Sequence, residues 1–454
     1  MKLAALDTYE AIGVVGLGQT GLSCVRYLLQ RDIEPVVFDT RAEPPGLKEL
    51  NELNAELEVH TGALELEHIL AMDLLVVSPG VDLRTPALQL AIDAAIPVVG
   101  DMDLFARHAN KPVIGITGSN GKSTVTRLVT DLLTAAGKKV AMGGNIGVPV
   151  LDLVGQPADV FVLELSSFQL ELMHDLHLRA GTILNISDDH MDRYSDLRDY
   201  SNAKHRIYNR VDVAVWNREQ EMTAPSLVPM NAQLTFGLTP SSEHGPDQFG
   251  LIEHEGEFAI SFAGKPLLKA SELQLTGVHN LLNVQAALAL VYAYGVDPYQ
   301  VLDAARRFKG LPHRCELVGE YQQVQWVNDS KATNIGAAEA AIFGTRQLVK
   351  GKLILIAGGD GKGADFAHFR AALKQVDVVI VLGKDGERIA NQIEHAVRVK
   401  TLEEAVATAA ELATPNSMVL LSPACASLDM FKNYEQRGER FRAAVEAHYG
   451  RKSA

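Results

Sequence analysis

Short apolar runs ending in Gly, Pro or Asp recur along the chain, and stretches with helical spacing lie between them. In the first hundred residues these runs are AIGVVG (11–16), PVVFD (35–39), LLVVSPG (74–80) and IPVVG (96–100). Runs this short and this uniformly apolar predict parallel strands buried on both faces. TGLSCVRYLLQRD (20–32) predicts a helix between the first two. The acidic run from Glu49 to Glu67 predicts a solvated helix face and a strand edge.

The pattern repeats from Asp101. PVIGITG (112–118) predicts a strand and KSTVTRLVTDLLTAAG (122–137) a helix closed by Gly137, glycine being the usual residue just past a helix end. VFVLELSS (160–167) and AGTILNIS (180–187) predict two more strands, and SDLRDYSNAKHRIYNRV (195–211) has helical spacing. Residues 247–274 break the pattern and predict short antiparallel strands joined at glycines. A buried helix, TGVHNLLNVQAALALVYAYG (276–295), follows. Beyond LPHRCE (311–316), KLILIAGGDGKG (352–363), DVVIVLGKDGE (377–387) and SMVLLSPACAS (417–427) each read as a strand and a tight turn, with a helix over TLEEAVATAAEL (401–412). Strand–helix alternation predicts an α/β fold with parallel sheets in three domains, at 1–100, 101–311 and 312–454. The outer two domains are expected to be Rossmann-like. The central one is expected to be a phosphate-loop ATPase type with a small antiparallel insertion.

Composition narrows the function classes. A chain of 454 residues exceeds one hydrophobic core, and 47% apolar with 22% charged residues is ordinary globular composition. A net charge of −14 argues against nucleic acid or an anionic membrane as partner. Cys24, Cys315 and Cys425 have neither disulfide-framework nor zinc spacing. No signal peptide and no apolar run long enough to span a bilayer are expected. A cytoplasmic monomer is the expectation.

Two glycine-rich turns carry the candidate chemistry. Gly16, Gly18 and Gly21 spell G-x-G-x-x-G after a strand, and Asp39 ends the next strand. This is the dinucleotide fingerprint, with an acid placed to hold a ribose. The pattern encodes only a tight turn and an approachable helix N-terminus, so any nucleotide diphosphate fits as well as NAD. Gln19, Thr20, Thr40 and Arg41 add polar and cationic groups, and Ser78 and Gly80 form another turn at a strand end.

The second turn, GITGSNGKST (115–124), departs from G-x-x-x-x-G-K-[ST]: five positions before Gly121 stands Ile116, with Gly115 and Gly118 on either side. Strand before and helix after nevertheless predict a working loop. Its amides would cradle a polyphosphate, Lys122 would reach the β- and γ-phosphates and Ser123 would offer its hydroxyl to Mg²⁺. Glu164 and His190 lie at later strand ends on the same sheet edge, where a second metal site would form; taken alone, they read as a helix cap and a surface histidine. Lys204 divides two readings. As a solvated helix lysine it has no role; desolvated near other cations it would be neutral, and its amine could take up CO₂ as a carbamate that bridges metals.

Taken together, GLGQTGLSC (16–24), GGNIG (143–147), ELSSFQL (164–170), DDHMDRY (188–194), GVHNLLN (277–283), LPHR (311–314), NDSKATN (328–334), GGDGKGADF (358–366) and LLSPACASLDMF (420–431) resemble the Mur ligase family of peptidoglycan precursor synthesis. The variant loop TGSNGKST is similar to the ATP loop of that superfamily, which folylpolyglutamate synthetases share. The resemblance implies an ATP-dependent ligase that joins D-glutamate to UDP-N-acetylmuramoyl-L-alanine through an acyl phosphate. It implies that the first turn is not a redox site, and that Gly18, Gln19, Thr20, Asp39, Thr40, Arg41, Ser78 and Gly80 hold the uridine diphosphate. Asn145 and His190 would approach the sugar-linked substrate. Gly118, Ser119, Asn120, Gly121, Lys122, Ser123, Thr124, Val125, Asn283, Arg314 and Asp329 would bind ATP. Ser123, Glu164, His190 and a carbamate on Lys204 would serve two Mg²⁺ sites, with Lys122, His190 and Lys204 catalytic. Lys331, Thr333, Lys362, Ser427 and Tyr434 would receive the amino acid; Tyr434 departs from the phenylalanine the family pattern leads one to expect.

Overall fold

The computed structural model describes residues 3–241, 248–275, 277–346 and 349–450. Its first sheet is all parallel, in the spatial order Val59–Thr61, Val36–Asp39, Ile12–Val15, Leu74–Val77 and Val98–Val99. The strand order reverses between Ile12–Val15 and Leu74–Val77. The turns after these two strands therefore flank a crevice, the position where open α/β sheets bind ligands. The acidic run is a helix, Leu47–Leu53, and the edge strand Val59–Thr61, mostly exposed as expected.

The central sheet is also parallel, ordered Gln233–Phe236, Val211–Asn217, Leu178–Ile183, Val113–Thr117, Val160–Glu164 and Val140–Gly144. Val113–Thr117 thus runs between the strand ending at Glu164 and the strand leading to the 185–190 segment. The helix Lys122–Ala135 packs on this sheet through Val125, Leu128, Val129, Leu132 and Leu133, all fully buried. That i, i+3, i+4, i+7, i+8 spacing is one continuous apolar stripe. Truncating Leu132 to Ala would cost about 2–5 kcal/mol. The helix stops where Gly137 turns left-handed at φ +77°, a conformation other residues rarely adopt. Val278–Tyr294 is apolar on nearly every face and sits inside the domain.

The antiparallel insertion consists of Phe249–His254, Glu257–Phe262 and Lys265–Lys269. The expected segment begins at Asp247, which lies outside the described residues. The C-terminal sheet is mixed: Glu316–Tyr321 runs antiparallel to Val324–Asn328, which continues in parallel through Met418–Leu421, Leu353–Gly358, Val378–Leu382 and Val397–Arg398.

One expectation needs correction. The helix expected over 195–211 covers only Leu197–His205, followed by a single tight turn, Arg206–Tyr208, and then a strand from Val211. The 316–328 hairpin has no glycine signal, because Gln322 and Gln323 supply the two left-handed residues at φ +53° and +61° that a two-residue hairpin turn requires.

Candidate active site

The variant spacing of the phosphate loop has a simple geometry behind it. Ile116 lies inside the strand, fully buried, and the chain turns only at Gly118, with φ +150°. Gly121 precedes the helix at φ +84°, and a Cβ there would stand 2.6 Å from Asn283 Oδ1. Asn185, from the next strand end, shapes the loop. Its Oδ1 accepts Asn120 N–H at 2.8 Å, its backbone oxygen accepts Ser119 N–H at 2.9 Å, and its Nδ2 donates to Asn120 O at 3.0 Å. The amides of Lys122, Ser123 and Thr124 precede the first intrahelical bond, from Val125 N–H to Gly121 O. They are the free donors an anion can use. Lys122 Nζ donates to Gly118 O at 2.8 Å and Ser119 O at 2.9 Å.

Cations gather around one buried carboxylate. Glu164 ends its strand at 3% exposure, takes Asn145 Nδ2 on Oε1 at 2.7 Å, and keeps Oε2 buried with no hydrogen-bond partner. The helix cap is Ser166, in a capping box with Gln169, and not Glu164. Lys204 is 1% exposed, which overturns its reading as a solvated lysine. Its Nζ donates to Gly118 O at 3.1 Å and lies 4.4 Å above the Tyr200 ring. Burial, then the neighbouring Lys122, pushes its amine well below the usual lysine range. Burial also lowers Lys122 and Arg314, and with Arg314 it brings Lys331 down to about 8.

The donor set suits Mg²⁺ in one respect, since the unpartnered buried Oε2 of Glu164 is what a cation would neutralise. It is not a ready-made protein cage. Among the described residues the group of three His, Cys, Asp or Glu ligand atoms within 4.8 Å is Glu65, Glu67 and His68, near the surface of the first domain. Glu164 and His190 join no such group, so waters and phosphate oxygens would complete the coordination, as is usual for Mg²⁺.

The C-terminal domain closes over this edge. Arg314 Nη2 donates to Ser123 Oγ at 2.8 Å, and the Asn120 and Asn334 amides exchange bonds at 3.3 and 3.4 Å. Lys362 Nζ donates to Asp189 Oδ1 at 2.8 Å, while Asn334 Nδ2 donates to Oδ2 at 3.1 Å. Burial works against the Asp189 charge, but Lys362 and His190 hold it down to about 2. His190 has a left-handed backbone at φ +57°, and burial lowers its imidazole. Between the two domains opens a cavity of about 460 Å³, lined by polar Asn280, Thr124 and Arg314 and by apolar Leu238, Leu275 and Phe343, a volume suited to a nucleotide-sized ligand. Asn283 and Asp329 line it too. Asp329 accepts Cys315 N–H and Ser422 Oγ–H, and burial pushes it up to about 6.

The remaining amino-acid candidates lie at the tips of the C-terminal sheet. Lys331 Nζ stands 4.0 Å from the Tyr434 ring centre, a cation–π contact. Burial, then Glu435, pushes the Tyr434 hydroxyl up to about 12. Ser427 is buried and Thr333 half-buried.

Three family models match the chain: the Mur ligase MurD-like N-terminal domain over 10–100, the Mur ligase middle domain over 116–291, and the Mur ligase glutamate ligase domain over 313–425. The chain belongs to the Mur ligase family. It is 48% identical to the UDP-N-acetylmuramoylalanine–D-glutamate ligase of Idiomarina loihiensis, over 99% of each chain. It is 49% identical to the enzyme of that name from Pseudomonas putida, over 98% of this chain and 99% of that one. Among solved structures it resembles a pseudomurein peptide ligase type C from Methanothermus fervidus, at TM-score 0.63 and 20% identity over 96% and 99% of the two chains. It also resembles a UDP-N-acetylmuramate–alanine ligase from Thermotoga maritima, at TM-score 0.59 and 20% identity over 96% and 99%. These two likenesses concern the fold.

Within the family's N-terminal domain the first turn is built differently. A Cβ on Gly21 would lie 1.8 Å from Gly16 O, so that glycine is needed for packing, whereas a Cβ on Gly18 or Gly80 meets nothing within 4 Å. Ser78 Oγ donates to Gly16 O at 2.8 Å and ties the two crevice turns together. Asp39 is buried, with Oδ2 taking Leu17 N–H and Arg41 Nη2, both at 2.6 Å, and Oδ1 taking Arg41 N–H and Nε, both at 2.8 Å. These bonds, acting against burial, lower its carboxyl from the ordinary value. Both oxygens of Asp39 are thus engaged by Leu17 and Arg41. Gln19, Thr40 and Arg41 are exposed and Thr20 half-exposed on the rim.

Sequence reasoning did not assign Asn185, Asp189 or Asn334. Each stands in or beside a run already singled out, TILNIS, DDHMD and NDSKATN; an amide or acid just past a strand end was the available signal.

Proposed function

We propose that this protein is an ATP-dependent ligase adding D-glutamate to UDP-N-acetylmuramoyl-L-alanine, with release of ADP and phosphate, in peptidoglycan precursor synthesis. The observation that carries the reading is the group of cations around the buried, half-unpartnered Glu164 beside the phosphate loop: the buried Lys204 with the part-buried Lys122, Arg314 and Lys331. The high-coverage likeness to D-glutamate-adding ligases points the same way. We place the domains at 1–100, 101–311 and 312–454, and read the protein as a cytoplasmic monomer with no nucleic-acid or membrane partner.

In this reading Gly18, Gln19, Thr20, Thr40, Arg41, Ser78 and Gly80 hold the uridine diphosphate, with Asp39 bracing Arg41. Asn145 and His190 approach the substrate's other end. The loop from Gly118 to Val125, with Asn283, Arg314 and Asp329, holds ATP. The alanyl carboxylate attacks the γ-phosphorus, and Lys122 stabilises the charge gathering on the phosphate oxygens. Ser123, Glu164 and His190 are the groups to hold Mg²⁺ at two sites; when bound, it neutralises phosphate charge. Lys204, desolvated and beside Lys122, is the lysine suited to CO₂ uptake, and its carbamate would add a second anion next to Glu164. Lys362, Lys331, Thr333, Ser427 and Tyr434 seat the amino acid, whose amine attacks the acyl phosphate. The tetrahedral intermediate then expels phosphate. Closure of the C-terminal domain excludes water from the acyl phosphate.

The test is phosphate release from ATP with UDP-N-acetylmuramoyl-L-alanine and Mg²⁺, with and without D-glutamate, and with L-glutamate, glycine or L-lysine in its place. Release that depends on D-glutamate, with a matching amide product, is expected. Release only with another amino acid moves the assignment to a sister ligase, and none with any acceptor overturns it.

A further inference from the structure

Arg193 is not part of the chemistry described above, yet it joins two of its pieces. It lies three residues past His190, in the turn where Arg193 N–H and Tyr194 N–H both donate to His190 O, at 2.9 and 3.1 Å. Its side chain is 8% exposed and leaves the central domain to grip the N-terminal one. Nη1 donates to Pro79 O at 3.2 Å, and Nη2 to Val81 O at 3.1 Å and to Glu171 Oε2 at 3.0 Å. Pro79 and Val81 belong to the tight turn closed by Val81 N–H to Ser78 O at 3.0 Å. The same turn is bonded through Ser78 Oγ to the first glycine loop.

The guanidinium also lies over the Phe168 ring, 4.3 Å from its centre, and the Phe168 ring meets the His190 imidazole nearly edge-on at 4.9 Å between centroids. One unbroken run of contacts therefore leads from the Gly16 loop through Ser78, the 78–81 turn, Arg193 and Phe168 to His190. A planar fork is needed here, because two carbonyls and a carboxylate are held at once; lysine offers a point charge instead.

We propose that Arg193 is a positioning residue that couples occupation of the uridine-diphosphate crevice to the placement of His190, with Phe168 as the link between them. The inference rests on the reading of the first domain as the uridine-diphosphate site. A ligand seated against the 78–81 turn steadies the carbonyls that Arg193 holds, and the stacked Phe168 passes that constraint to the imidazole. Nothing in this requires His190 to change protonation.

The experiment compares the full-length protein with R193K and F168L, using calorimetry with uridine diphosphate and with ADP, the His190 imidazole NMR signals, and steady-state turnover. R193K is expected to weaken uridine diphosphate about tenfold, within the usual range of coupling between sites, while leaving ADP affinity unchanged. F168L keeps all three Arg193 bonds, so uridine diphosphate affinity and the KM for the uridine substrate should hold while kcat falls about tenfold. In the unsubstituted protein uridine diphosphate should shift the His190 signals, and in F168L that shift should be lost. A His190 response that survives F168L overturns the proposal, as does an R193K variant losing ADP and uridine diphosphate equally. If R193K does not fold, the F168L arm decides alone. A protein that binds uridine diphosphate but turns over no D-glutamate defeats the reading of the reaction; the coupling is still decided by the binding and NMR measurements.

Discussion

Two of the glycine turns that lead from strand to helix, Gly16–Gly21 and Gly118–Gly121, have different surroundings. In the first, Gly21 lets helix and strand approach, Asp39 locks the backbone through Leu17 and Arg41, and the rim residues Gln19, Thr40 and Arg41 stand in solvent. In the second, the loop is held by Asn185 and faces the buried Lys204 and Glu164 and the part-buried Lys122 and Arg314. Electrostatic interactions are strong where water is excluded and weak where it is not. The first turn can therefore anchor a diphosphate without reacting with it, and the second can stabilise charge that develops during a reaction. In the proposed function the same local motif serves as an anchor or a reaction centre according to what the rest of the fold packs around it.

The sharpest way to break this comparison is at Lys122. Lys122→Ala should lower kcat on the order of 10³-fold with the unfolding temperature nearly kept, read by phosphate release and calorimetry; a small loss would mean the second turn is only an anchor too. Glu164→Gln comes next, with kcat down about 10²-fold and a steeper Mg²⁺ requirement in a metal titration. An unchanged Mg²⁺ profile would separate Glu164 from the metal.

At the first turn the expected effects are on stability and affinity. Gly21→Ala must push against Gly16 O and should destabilise the protein by about 1–3 kcal/mol, measured by thermal unfolding. Gly18→Ala should leave stability unchanged, because its Cβ meets no protein atom. It should still weaken uridine diphosphate about tenfold by occupying ligand space. If the two alanine variants behaved alike, the division between a packing glycine and a ligand-approach glycine would fail.

Much of the fold was legible because its signals are local. Short apolar runs mark most strands of the three larger sheets, and the stripe from Val125 to Leu133 marks the loop helix. Strands with weaker patterning, such as Val211–Asn217 and the hairpin turning at Gln322 and Gln323, were hidden, since a left-handed glutamine has no compositional signature. The early end of the helix after Asp196 has no sequence signal, because RIYNRV keeps helical spacing while its chain feeds a strand.

The site divides in the same way. The sequence by itself determined the phosphate loop, the strand-end positions of Glu164 and His190 and the three-domain plan, because these depend on residue type and short spacing. Only the tertiary structure decided that Lys204 is buried beside Lys122, that Glu164 keeps one oxygen unpartnered, that Asp39 is spent on Arg41 and Leu17, and that Lys362 reaches Asp189 across 173 positions of chain. Burial and charge pairing are sums over neighbours brought together from distant segments, and those neighbours exist only once the sheets have packed.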